Sequence, residues 1–430
     1  MVQPTAHAVG YFLAPLTGLN ANPMSKVTLS NYRVLFDRQH KGYRASVATA
    51  ALKGSRLQLV FMYASDGKRG LPQHTSFSDD LGKTWSSPTL FGPPMSNPDL
   101  QHQGVMLVGY THSGTLIVSG FFAERGIRTD DENEQYFEDV AWRPTDVIIG
   151  RQESGQAEIS FTKIPTGTFL GEQFAERGTV LESGRIMLPI WGSKNRGDNW
   201  GCGVLLSDDD GRTWRFRRVG LESDLKIRKQ PKVPAGYNEQ TFFELPVQPP
   251  APPGDTSNAR STSQTNASRT RLISIIRGRE HLGAIDDQLD ETWFFRSVSD
   301  DGGETWSKPE PTNLAGTGAT PVGLVFPDGS LLQACRIPHR AAATVGLTLP
   351  DPAAMPYGLH FARSRDEGRT WTTDHLVQRD PSGRVFDNYY NVMNGQFVQL
   401  AETKWMYTFG HFEYVADRHR VLSIDVEWKS

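Results

Sequence analysis

The octapeptide SDDLGKTW (Ser78–Trp85) returns three times with small changes: SDDDGRTW (Ser207–Trp214), SDDGGETW (Ser299–Trp306) and SRDEGRTW (Ser364–Trp371). Ser, Asp, Gly, Thr and Trp keep their places in every copy. An Asp side chain accepts backbone N–H bonds across a tight loop and Gly tolerates positive φ, so the pattern predicts a hairpin turn. The Ser and Thr hydroxyls are set to tie its ends, and the Trp supplies a large apolar anchor beside it. Strand-like runs precede each copy, namely QHTSFS, WGCGVLLS, WFFRSVS and YGLHFARS.

Spacing extends the turn into an architecture. The interval from Ser299 to Ser364 gives a unit of roughly 65 residues. The interval from Ser78 to Ser207 then holds two units, the first of which keeps its turn while the second has RQESGQAE (Arg151–Glu158) in its place. The interval from Ser207 to Ser299 holds one unit plus an insertion at about 246–269, rich in Pro, Ser and Thr and without periodicity. Paired apolar runs meet at Gly54, Gly114, Gly184 and Gly329 and read as further hairpins. A last unit, from NGQFVQLAETKWMYTFGHF onward, has no octapeptide. The expected fold is all-β: a single domain over 1–430, a six-bladed β-propeller with four-stranded antiparallel blades. The strand at about 27–37 is expected to complete the last blade.

Composition narrows the partners. With 37% hydrophobic residues the chain supports a large packed interior. A net charge of -3 without a basic block argues against nucleic acid as partner. No run reaches the length of a membrane span, and the first residues lack the basic and apolar regions of a signal peptide. A cytoplasmic location is expected, or a secreted one if a leader has been removed. Two cysteines, Cys202 and Cys335, exclude a disulfide scaffold. The histidine spacing carries no metal-ligand signature, and no cofactor is expected.

Antiparallel strands fix where reactive groups should lie. If each octapeptide joins the third and fourth strands of a blade, all copies share one end of the fold. The starts of the first strands and the loops between second and third strands share the other, here called the far end. Loop ends on a rigid scaffold are where function concentrates. The sequence sets there Tyr43, Arg44, Asp66, His102, Gln103, Glu176, Arg177, Asn238, Glu239, Arg277, Arg336, Arg340, Tyr389 and Tyr390.

The octapeptide is the Asp box, and the chain resembles the sialidase (neuraminidase) superfamily of Asp-box propellers over nearly its whole length. That resemblance implies an exo-acting glycoside hydrolase that cleaves a terminal, acidic sugar with retention. Arg44, in Tyr43-Arg44-Ala45-Ser46, matches the first of three carboxylate-binding arginines, although the family's following Ile and Pro are missing. Arg277 matches the second, and Arg336 or Arg340 the third. Glu239, in YNEQTFFEL, matches the base that activates a tyrosine nucleophile, for which Tyr389 and Tyr390 are the candidates. Asp66 matches the acid/base. A neutral phenol suits this attack because the sugar's own carboxylate repels an incoming carboxylate. Two alternatives stand beside this reading. A Glu176/Glu239 carboxylate pair would suit an exo-arabinanase-like or other glycoside-cleaving propeller acting on a neutral sugar. His102, apart from that pair, reads as a substrate-facing base, as in propeller lyases acting on uronic acids, or as a structural residue. A non-catalytic propeller that binds a glycan or glycoconjugate would use the same fold.

Overall fold

A computed structural model describes residues 19–21, 26–39, 48–61, 73–91, 100–124, 143–195, 198–221, 236–245, 271–279, 292–316, 321–335, 358–384, 392–413 and 418–429. These residues form strands and turns without a helix, so none crosses a membrane as a long apolar helix.

Strands β1 (Leu19–Ala21) and β2 (Val27–Gln39) lead into six antiparallel units. Unit 1 contains β3 (Ala48–Lys53), β4 (Arg56–Phe61), β5 (Gln73–Ser78) and β6 (Thr89–Phe91). Unit 2 contains β7 (Leu100–Tyr110), β8 (Leu116–Glu124), β9 (Arg143–Gln152) and β10 (Ser160–Ile164). In unit 3 the first strand is split into β11 (Glu172–Ala175) and β12 (Thr179–Val180), followed by β13 (Ile186–Ser193), β14 (Trp200–Ser207) and β15 (Arg215–Gly220). Unit 4 contains β16 (Gly236–Glu244), β17 (Leu272–Arg279), β18 (Thr292–Ser299) and β19 (Glu310–Gly316). Unit 5 contains β20 (Val322–Val325), β21 (Leu331–Cys335), β22 (Leu359–Ser364) and β23 (Thr372–Val377). Unit 6 contains β24 (Val392–Ala401), β25 (Lys404–Glu413) and β26 (Arg418–Trp428).

Each unit is a meander of sequential antiparallel strands. Strand β2 pairs with β26, from Val27↔Trp428 to Gln39↔Arg418, and is the fourth strand of unit 6. Strand β1 adds a fifth strand to unit 5 by pairing with β23, Leu19↔Val377, which the repeat spacing does not signal. The insertion at 246–269 lies outside the described residues, in the connection between β16 and β17.

The apolar strands are buried on both faces because the cores lie between units. In β13, IMLPIWGS, every residue is buried. One hydrophobic cluster joins units 1 and 2 through Val60 and Leu107, and another joins 2 and 3 through Ile149 and Ile190. Units 3 and 4 meet through Met187 and Ile276, and units 4 and 5 through Phe294 and Leu331. Units 5 and 6 share Phe361 and Tyr407, and units 6 and 1 share Met406 and Leu57. Among the first strands β3 packs on β7, β7 on β12, β16 on β20, β20 on β24 and β24 on β3. Units 3 and 4 meet through β13 and β14 against β16, with Trp200↔Gly236 paired in parallel.

The Asp boxes occupy the turns between third and fourth strands. In unit 1, Asp80 Oδ1 accepts from the Ser78 hydroxyl (2.7 Å) and from the N–H groups of Lys83 (3.0 Å) and Thr84 (2.9 Å). Its Oδ2 accepts from the Thr84 hydroxyl at 2.6 Å. Asp209, Asp301 and Asp366 repeat the clasp with Thr213, Thr305 and Thr370. The box glycines are left-handed and abut the preceding unit: a Cβ on Gly368, at φ +82°, would lie 3.0 Å from Ile275 Cδ1. The tryptophans follow them into those interfaces, and Trp371 is only 1% exposed. The turn at Arg151–Glu158 keeps a left-handed Gly155 (φ +86°). The Glu153 carbonyl, rather than an Asp clasp, helps close it by accepting from the Gln156 N–H at 3.0 Å.

Two outcomes follow for stability. Burial acts to raise the Asp80 and Asp209 carboxyls, but hydrogen bonds from the box Thr, Ser and backbone N–H groups outweigh it and hold both at about 2. A carboxyl depressed in the fold contributes stability that is present above its unfolded value of 3.8 and lost as pH falls toward 2. Thermal midpoints should therefore be level above pH ~4 and fall between about 4 and 2, with a shallower fall in Asp80→Asn and Asp209→Asn. Trp371→Ala should cost about 3–5 kcal/mol in denaturant titration; a loss below ~1 kcal/mol would refute its role as a wedge between units.

Candidate active site

Register in unit 4 separates two ends. Glu244 faces Leu272, and Leu272 faces Ser299, which opens the box. At the far end Gly236 faces Arg279, and Arg279 faces Thr292. Between Tyr237 and Gln240 the ladder shifts, and Asn238 and Glu239 form a bulge. The strand start before it is fixed by close approach: Gly236 has φ +127°, and a Cβ there would lie 2.1 Å from the Trp200 carbonyl oxygen. Below the bulge, Gln240 donates to Gly203 O in unit 3 and accepts from the Ser274 hydroxyl.

The bulge brings Glu239 to Arg277 on the neighbouring strand. Arg277 Nη1 donates to Glu239 Oε2 at 2.5 Å, with the two side chains 13% and 15% exposed. A guanidinium has five N–H donors in a planar fork, the geometry suited to carboxylate groups.

Unit 3 contributes the break between β11 and β12. The Glu176 N–H donates to Pro189 O (3.0 Å), and the Glu176 carbonyl accepts from the Ser119 hydroxyl of unit 2 (2.8 Å). Its carboxylate accepts from Trp191 Nε1 at 2.9 Å. Trp191 is stacked on Phe174 at 3.8 Å between centroids and meets Trp200 edge-on at 5.0 Å. Pro189 faces Val204, midway along β14, so Glu176 starts deeper than Glu239 while its side chain reaches toward the far end. Arg177 beside it is buried.

Of the residues named from sequence, Glu239 and Arg277 meet directly, and Glu176 stands on the adjoining unit. His102 lies in β7 opposite Phe122, near another register shift between Gln103 and Met106. Arg44, Asp66, Arg336, Arg340, Tyr389 and Tyr390 lie outside the described residues. Sequence reading missed Trp191 as the partner of Glu176; a lone Trp late in an otherwise aliphatic strand was the available signal. Among the described residues no group of His, Cys, Asp or Glu side chains is arranged to hold a metal ion.

The ion pair generates a stability test. Arg277→Met leaves the largely buried Glu239 carboxylate without its cation and should cost about 3 kcal/mol. The double variant Arg277→Met/Glu239→Leu should regain most of that loss in denaturant titration at neutral pH. Additive losses would mean that the two residues are not coupled.

Comparison with known proteins agrees with this layout. The sequence profile of the BNR repeat-like domain matches residues 160–414. No curated protein matches by sequence. A protein of unknown function from Dyadobacter fermentans is similar in structure, with TM-score 0.57 and 16% identity over 92% of this chain and 99% of that one. The NanB sialidase of Streptococcus pneumoniae gives TM-score 0.54 and 14% identity, over 92% of this chain and 70% of that one. An alpha-L-arabinofuranosidase of Fusarium graminearum gives 0.56 and 11%, over 94% and 98%. At such identities the likeness is one of fold. The profile spans more than half of the sequence and takes in three of the four Ser-x-Asp-x-Gly-x-Thr-Trp turns, so the chain belongs to the BNR repeat-like domain family.

Proposed function

We propose that this protein is an exo-acting glycoside hydrolase, sialidase-like, that cleaves a terminal acidic sugar with retention on a six-bladed β-propeller. The cyclic order of packing between units supports the propeller. Similarity of fold to sialidases and to an arabinofuranosidase supports glycoside cleavage at the level of the superfamily. The observation that carries the reading is the Glu239–Arg277 pair, a carboxylate and a cation held together at the end away from the Asp boxes.

In this mechanism Arg44, Arg277 and either Arg336 or Arg340 bind the sugar carboxylate through planar N–H forks. Glu239 takes the phenol proton of Tyr389 or Tyr390 as the tyrosine oxygen attacks the anomeric carbon. Asp66 gives a proton to the departing glycosidic oxygen. In the second half Asp66 takes a proton from water, the water oxygen bonds to the anomeric carbon, and the tyrosine leaves and regains its proton from Glu239. Two displacements at one carbon retain its configuration.

A second reading is favoured by one observation. Glu176 and Glu239 both stand where the first strand of their unit breaks register, on neighbouring units, each with a hydrogen-bonded carboxylate. Such a pair would serve an arabinofuranosidase-like cleavage, as acid and nucleophile.

A fluorogenic sialoside and a fluorogenic arabinofuranoside separate the readings. Sialic acid release, with Glu239→Gln lowering kcat about 10²–10⁴-fold and Arg277→Ala abolishing carboxylate preference, is expected. Arabinoside turnover alone, lost in Glu176→Gln, would replace the first reading by the second. Failure on both and on a broad glycoside panel, with glycan binding retained, would leave a binding module.

A further inference from the structure

Among the described residues, Arg177, Arg296, Arg363 and Arg420 are the deeply buried arginines, at 8%, 5%, 2% and 5% exposure. Three of them meet carboxylates. Arg296 donates to Glu367 (3.2 Å), Arg363 to Asp328 (3.1 Å) and Arg420 to Asp380 (2.5 Å). Arg177 is the exception: no acceptor among the described residues meets its guanidinium, and its Nη2 is wholly enclosed. Its neighbour Glu176 gives its carboxylate to Trp191 instead. Buried charge without a partner is strongly unfavourable. The rest of the fold follows that rule, so the departure at Arg177 calls for a ligand to meet it.

The position narrows the ligand. Arg177 lies in the gap between β11 and β12, where the first strand of unit 3 leaves its ladder, one residue from Glu176 and on the unit adjoining Glu239. A guanidinium presents a rigid planar fork that matches two oxygens of one group. Arg277 is already met by Glu239. A carboxylate offers the Arg177 fork two oxygens of one group and, being singly charged, adds less negative charge beside Glu176 than a doubly charged anion would.

We infer that Arg177 is a further substrate-binding residue, which takes the carboxylate of an acidic sugar. The inference rests on the proposed hydrolase reading for its substrate class, yet it names a residue outside the arginines that the family resemblance implies. It also accounts for a buried guanidinium that no described acceptor meets.

Calorimetric titration of the full chain tests this with sialic acid and glucuronic acid, each beside its carboxamide. The wild type should prefer at least one acid over its amide. Arg177→Met should erase that preference, by roughly 10- to 100-fold, and Arg177→Lys should keep part of it. The thermal midpoint of Arg177→Met should equal or exceed that of the wild type, because the variant removes an uncompensated charge. Full preference in Arg177→Met would overturn the inference. So would an equal weakening of acid and amide with a lowered midpoint, which marks a structural role, or a wild type that prefers neither acid. An Arg177-dependent preference in a protein that hydrolyses no glycoside would keep this inference and remove the hydrolase reading.

Discussion

Apolar contact between neighbouring sheets is the constraint on which the structure rests. Each four-stranded unit is apolar on both faces, and each hydrophobic cluster draws residues from two units. Burial of such surface is the main favourable contribution to folding, and a lone unit would leave both of its faces wet. Stability is therefore shared between neighbours, as in other repeat architectures. The boxed tryptophans strengthen the joints, since each is anchored in its own turn by an indole N–H bond to the box glycine carbonyl. Charges add a thinner second layer at the same joints. Arg215 and Arg217 of unit 3 reach Glu304 in the box of unit 4, and Arg271 and Arg296 of unit 4 reach Glu367 in the box of unit 5. Pairs as exposed as Arg215 and Arg217 with Glu304 contribute little beside the apolar contact.

Local chemistry was legible in the sequence, and non-local chemistry was not. An Asp box is written in eight consecutive residues, and the bonds of its Asp clasp stay within that span, so the clasp follows from residue type. The hairpin glycines behave the same way: Gly54, Gly114, Gly184 and Gly329 all take left-handed φ, between +62° and +85°. The pairing of β1 with β23 joins residues that are remote in sequence through three positions without a pattern. The site divides along the same line. Glu239 and Arg277 could be named singly, but their contact depends on a bulge in β16. That no described acceptor meets Arg177 could not be read at all, because residue type does not say whether a buried charge has a partner.

The two ends of the fold differ in what remains available for chemistry. At the box end each Asp carboxylate is consumed by its own turn, with both oxygens bonded to groups within four residues. Such a carboxylate has its charge answered and its orientation fixed, which suits a clasp and leaves little capacity for a substrate. Toward the far end the first strands lose regularity. Register shifts occur in β7 after Gln103, in β16 after Tyr237 and in β24 after Met393, and β11 breaks before β12. Bulges re-aim side chains that a regular ladder would send to alternate faces. The same strands that are pressed together by the cores thus release a few residues from the pleat toward that end.

That contrast bears on how charge is distributed in the molecule. The other deeply buried arginines each meet a carboxylate: Arg363 lies over the Trp428 ring and near Phe326, and it meets Asp328, Ser330 and Asp374. Arg177 has comparable burial without those partners, and a second carboxylate on the protein would have been the simplest remedy. A protein carboxylate there would compete with any anion the site is meant to hold. Arg177 adds a cation that no described acceptor meets, beside the Glu239–Arg277 pair and the Glu176 carboxylate held by Trp191. Under the proposed reading, selectivity for an anionic ring arises from a difference in binding between charged and uncharged forms of one sugar, and the sugar carboxylate supplies the contact that no described residue makes to Arg177.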